Sequence, residues 1–176
     1  NALNVKDVTV DNCTINQTWK SGGVVGYVAG NCDIEDAEVS NITLNYEPGY
    51  EWGAGSLVGH LNSQTSNLTG IKVSAEDYPL IGTAYSGSNK TVNFNGEDND
   101  INSSVLINDL RDSVGSIKIE NGVYTLADIV NEEDFEESEN IFSISGGTFN
   151  MSEDVYYKYL DEGYYTIPLE GGGGYQ

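Results

Sequence analysis

An internal repeat limits the fold of this chain more than any other feature. Residues 18–30, TWKSGGVVGYVAG, return at 51–63 as EWGAGSLVGHLNS. Displaced by 33 positions, Trp19 falls on Trp52, Gly22 on Gly55, Val24 on Leu57, Val25 on Val58 and Gly26 on Gly59. A second motif alternates with the first. VTVDNCTIN at 8–16 falls 29 positions on onto AEVSNITLN at 37–45, aligning Val10 with Val39, Asn12 with Asn41 and Asn16 with Asn45. Both motifs return in degraded form: Val73 lies 34 after Val39, and Leu80, Ile81 and Gly82 lie 23 after Leu57, Val58 and Gly59. A unit of about 30 residues made of short β-branched runs and turn residues cannot bury its own apolar face, so copies must stack.

The expected architecture is all-β, a right-handed parallel β-helix with about three short strands per coil and equivalent residues about 4.8 Å apart. Gly22, Gly26, Gly55 and Gly59 let the chain turn sharply and let coils approach, and Val24, Val25 and Val28 are expected to alternate between two faces. The alternative, an antiparallel β-sandwich, expects turns every 8–12 residues and no fixed register between distant segments. Stacking places Asn12 over Asn41 and Asn16 over Asn45 as amide ladders at turns, and Asp7 over Asp36. Asn-X-Ser/Thr triplets begin at Asn12, Asn16, Asn41, Asn67, Asn89, Asn102 and Asn150. If the ladder asparagines point inward, those at Asn12 and Asn41 cannot carry a glycan.

Beyond residue 88 the unit shortens. IKIENGVYTLADI at 117–129 falls 25 positions on onto FSISGGTFNMSED at 142–154, placing Gly122 on Gly147 and Tyr124 on Phe149. After Gly146 and Gly147, the segment MSEDVYYKYLDEG carries helix signals: Ser152 as N-cap, Glu153 and Asp154 in the first turn, Gly163 past the end. Such a short helix is expected to cap the stack, with tyrosines such as Tyr159 on its apolar face. The division expected is β-helix coils with the glycine repeat over 1–100, continuing coils and a C-terminal cap over 101–168, and a flexible tail over 169–176. Its glycine-rich composition suits a link to neighbouring modules of a longer protein.

With 28 acidic residues against 7 basic ones and a formal charge of -21, the chain is unsuited to phosphate-rich partners, so nucleic acid and anionic membrane surfaces are excluded. No apolar run is long enough to insert in a membrane as a helix. Of the two acidic loops, 95–102 and 131–140, the first holds Asp98 and Asp100 at the alternate spacing of an oxygen cage, without the glycine and terminal glutamate of an EF-hand. Calcium there is the one metal left open, and no other cofactor is expected.

Catalysis finds little support. Enzymes that act on polyuronates need clustered cations, whereas the single arginine, Arg111, and the lysines are scattered along this sequence, and the net charge repels a polyanion. Hydrolysis of a neutral glycan needs only two carboxylates, and no pair stands out. His60, the only histidine, aligns with Tyr27 and reads as a surface-facing strand residue. Cys13 aligns with Ile42 and reads as a small core residue, and a disulfide with Cys32 is left open. No catalytic residue is expected. The aromatic residues are the better lead: Trp19 and Trp52 share a column, with Tyr46 and Tyr50 in the turn before Trp52. They form either a ring platform for a sugar or an apolar plug worth about 2–3 kcal/mol per ring.

The segment GGVVGYVAGNCDIEDAEVSN resembles the GLUG-type repeat of bacterial cell-surface proteins, with its Gly-Gly-(Leu/Val)-Val-Gly core. The ending ISGGTFNMSEDVYYKYLDEGYYTI resembles the Gly-Gly-Thr-Phe and short-helix ending of secreted multi-module proteins of gut Firmicutes. The resemblance covers 5–87 and 117–167, departs from the repeat at Ala54 and His60, and supplies no catalytic residues. It implies a secreted or surface-attached, adhesin-like β-helix whose partners are host or dietary glycans or host surface proteins. A carbohydrate-binding module and a glycan-active enzyme on the same scaffold are the alternatives.

Overall fold

The computed structural model describes residues 2–17, 19–46, 53–85, 90–111, 116–131, 142–152, 159 and 167. They form nineteen strands in six successive repeats. The first holds β1 (Ala2–Asp11), β2 (Thr14–Gln17), β3 (Ser21–Gly22) and β4 (Val25–Ala29), and the second β5 (Asn31–Ser40), β6 (Thr43–Tyr46), β7 (Ala54–Gly55) and β8 (Val58–Asn62). The third holds β9 (Thr65–Thr69), β10 (Lys72–Ala75) and β11 (Ile81–Tyr85), and the fourth β12 (Thr91–Phe94), β13 (Asp100–Ser103) and β14 (Val105–Arg111). The fifth holds β15 (Ser116–Ile119), β16 (Val123–Thr125) and β17 (Asp128–Val130), and the last β18 (Phe142–Ile144) and β19 (Thr148–Asn150).

Every strand pair among them is parallel. In the largest sheet β5 pairs with β1, β9 and β10, and the pairing continues through β12, β15 and β18 on one side and through β13, β16 and β19 on the other. A five-stranded sheet runs β17-β14-β11-β8-β4, and two small sheets pair β2 with β6 and β3 with β7. The register reproduces the sequence offsets. Val10 pairs with Val39, Val39 with Val73, Val25 with Val58, Val58 with Ile81 and Tyr124 with Phe149. The antiparallel sandwich is thereby excluded for these strands.

Parallel in-register pairing sets like residues over like, and the core is made of such columns. One column runs Val5, Ile34, Leu68, Phe94, Ile119 and Ile144, and a second runs Val10, Val39, Val73, Ile101, Tyr124 and Phe149. From the second repeat onward every member of both is buried. The Tyr124 and Phe149 rings stack at 5.1 Å and 15°, close to the strand spacing of about 4.8 Å, so the rings follow the backbones.

The bends between strands are columns too. Asp7 (φ 56°) lies over Asp36 (φ 53°), and Asn12 (φ 51°) over Asn41 (φ 49°), all in the left-handed region that Asp and Asn tolerate. Below Asp36 the position is Gly70 (φ +66°), where a Cβ would lie 2.4 Å from Asp36 Oδ1. Asn45 Nδ2 donates to Asn16 Oδ1 at 3.0 Å, as a ladder requires. Asn41 Nδ2 instead donates to Asp11 Oδ1 at 2.8 Å. Asn12, Asn16 and Asn41 are all exposed, so an inward orientation of these side chains is excluded.

The glycine motif differs from the expected alternation. Val28 is buried, and Val24 and Val25 pack against the same core. The cause is a bulge in which the N–H groups of both Val24 and Val25 donate to Leu57 O at 3.1 Å, and those of Leu57 and Val58 to Leu80 O at 3.0 and 3.2 Å. Gly55 stands beside it, and a Cβ there would lie 2.1 Å from Val58 O and 2.6 Å from Gly82 N.

Candidate binding surface

The five-stranded sheet carries two adjacent rows in which chemistry-bearing side chains meet. Its register sets Tyr27 beside His60, His60 beside Thr83, and Thr83 beside Asp109 and Tyr85 beside Arg111. The imidazole of His60 lies between two phenol rings, 5.1 Å from Tyr27 and 4.7 Å from Tyr85. This corrects the expectation of a surface-facing histidine: His60 is 2% exposed. Burial, with the positive charges of Lys20 and Arg111 adding to it, pushes its pKa down to about 4, so it is neutral at pH 7.

Cations border the same rings. Lys20 Nζ lies 4.2 Å from the Trp19 ring centre and 4.3 Å from that of Tyr27. Lys90 Nζ lies 5.6 Å from the Tyr85 ring centre and donates to Asn62 Oδ1 at 2.9 Å. Arg111 Nε donates to Asp109 Oδ2 at 2.6 Å, and Thr83 Oγ1 donates to the same oxygen at 3.2 Å. Three basic residues that stand 70 and 21 positions apart in sequence therefore border the Tyr27 and Tyr85 rings.

Of the aromatic residues singled out in the sequence, Trp19 is 57% and Tyr46 38% exposed, with Tyr46 closing β6 beside Gln17. Trp52 and Tyr50 lie outside the described residues. Asp98 and Asp100 flank Lys72: Asp100 pairs with it in register, and Asp98 lines a shallow depression with Asp7, Asp36, Glu38 and Lys72. Among the described residues no group of three or more His, Cys, Asp or Glu is placed to hold a metal ion. At Gly146 a Cβ would lie 2.1 Å from Glu120 O, and Gly147 is left-handed at φ +106°. Ser152 is exposed, and apart from Tyr159 the helix expected after it, on 153–158 and 160–162, lies outside the described residues. Tyr159 is described. It is buried edge-on against Phe142 at 5.3 Å, with its hydroxyl 3.5 Å from Asp128 Oδ1.

Cys13 and Cys32 are both free thiols. Cys32 is buried between Leu3 and Ser66 in register, and burial pushes its pKa up to about 11. Two polar features escaped the sequence reading. Asn67 Nδ2 donates to Asp33 Oδ1 at 2.6 Å and Asn93 Nδ2 to Asn67 Oδ1 at 2.8 Å, a ladder across three repeats. Asn99 is buried, accepts the Ile71 N–H at 2.8 Å and donates to Leu68 O at 3.2 Å, which satisfies the bend that Gly70 makes. The Tyr27 row of the five-stranded sheet had a signal, because carrying the Tyr27 to His60 alignment two repeats further reaches Thr83 and Asp109. The chain matches no family model, no curated protein and no solved structure.

Proposed function

We propose that the stacked repeats are coils of a right-handed parallel β-helix, and that the chain is a non-catalytic, adhesin-like module of a larger bacterial cell-surface protein that spaces or displays a binding surface. The observation that carries this reading is the parallel register that passes through all six repeats. Such an arrangement lengthens by adding copies and presents a broad side wall. The resemblance to GLUG-type repeats supports the surface location.

Two experiments test the reading. Thr65 pairs with Thr91, so removing residues 65–90 deletes one whole coil while keeping register. The shortened protein should keep its β-sheet circular dichroism and a cooperative unfolding transition, and collapse to an aggregate would count against coils. The purified module should hold host cells or mucin on beads and release no reducing ends from a panel of plant and host glycans. Steady release of reducing ends would refute the non-catalytic reading. The exposure of Trp19 and Tyr46 favours a second reading, a carbohydrate-binding module in which these rings meet a neutral glycan. Loss of glycan binding in Trp19→Ala, with the fold retained, would support it.

A further inference from the structure

The two rows on the five-stranded sheet go beyond a display scaffold. We propose that Lys20, Tyr27, Tyr85, Lys90 and Arg111 form a binding strip for a short saccharide that bears one carboxylated sugar among neutral ones. Tyr27, 45% exposed, leaves apolar ring surface for the C–H face of a sugar beside the Lys20 ammonium, and the half-buried Tyr85 does the same beside Lys90. The cations offer charge complementarity. Three of the chain's seven basic residues lie in this strip, and the carboxylate hydrogen-bonded within it is that of Asp109.

Net charge decides between anions. A chain at -21 repels a polyanion as a whole, while Lys20, Lys90 and Arg111, offset in part by the Asp109 carboxylate, leave a local excess of positive charge that attracts one negative charge brought close to it. The Arg111 guanidinium is fixed by Asp109 and its planar fork suits a carboxylate. Length agrees as well. From Tyr27 on β4 to Asp109 on β14 there are three strand spacings of about 4.8 Å, or about 14 Å in all, enough for about two to three sugar rings. His60 fills the space between the tyrosines and stays uncharged near neutral pH, so it packs the rings apart without competing for the carboxylate.

The test is isothermal titration of the whole 176-residue chain with 3′-sialyllactose, lactose, trigalacturonate and a sulfated lactose. Sialyllactose should bind saturably, weaken about tenfold in Lys90→Gln and in Lys20→Gln, and weaken in about 0.5 M NaCl. Lys72→Gln, on the other sheet, should bind as the parent does. Equal affinity for lactose would overturn the role of charge, and tighter binding of trigalacturonate would overturn the single-carboxylate assignment. Preference for the sulfated sugar would overturn the carboxylate. No binding of any acidic sugar by a protein with unchanged circular dichroism would overturn the strip itself. Both lysine variants are surface changes, so the fold is expected to persist.

Discussion

Acidification should destabilise this protein through His60. In the folded state burial, reinforced by Lys20 and Arg111, holds the imidazole near pKa 4, while in the unfolded chain it titrates at 6.5. A depressed folded pKa means that the unfolded state binds the proton first, so the stabilising contribution is complete above pH 6.5 and is lost as pH falls toward 4. At 1.36 kcal/mol per unit the full difference is about 3 kcal/mol, of which about 2 kcal/mol is lost by pH 5. The rings of Tyr27 and Tyr85 cover the imidazole, but Lys20, Lys90, Asp109 and Arg111 around it reach solvent, so screening brings the expected loss to about 1 kcal/mol. The parent contains many carboxylates whose mutual repulsion also changes with pH, and His60→Phe removes the imidazole while keeping a ring in the stack. Urea midpoints of parent and His60→Phe at pH 7.5 and pH 5.0 give the double difference. The parent should lose about 1 kcal/mol more than the variant on acidification. An equal loss in the two proteins would refute the reasoning, because it would mean that His60 titrates alike folded and unfolded.

Three further outcomes follow from local geometry. Gly55→Ala places a methyl against Val58 O, Gly82 N and Leu80 O, backbone atoms that cannot swing aside, and should cost about 1–3 kcal/mol or more in chemical unfolding. Gly26→Ala meets only Lys20 O inside 3 Å and should cost less; equal costs would count against the clash. Asn99→Ala strands the buried Ile71 N–H and should destabilise by about 1–3 kcal/mol, read from the same urea titration. With its pKa near 11, Cys32 should resist a disulfide reagent at pH 8 in the native protein while Cys13 reacts, so a count of two fast thiols would refute its burial.

The repeat offsets determined the strand pairing before any coordinates. Offsets of 29, 33, 34, 23 and 25 between like residues reappear as the register, since parallel stacking sets equivalent positions one strand spacing apart. The left-handed bends were legible in part, because an Asp or Asn column between strands has few other uses. Which side of the wall a residue occupies was decided by tertiary structure. The shared carbonyls of Leu57 and Leu80 shift the phase of the strand, so Val24, Val25 and Val28 all reach the core. Repeat lengths are unequal as well: Thr65 to Thr91 spans 26 positions while Lys72 to Asp100 spans 28, the extra residues falling in the turn that Asn99 ties down. A phase that drifts with each turn cannot be summed from sequence alone. For that reason the burial of His60 between two tyrosines, and the gathering of Lys20, Lys90 and Arg111 about the same two rings, emerged only when the strands were laid side by side.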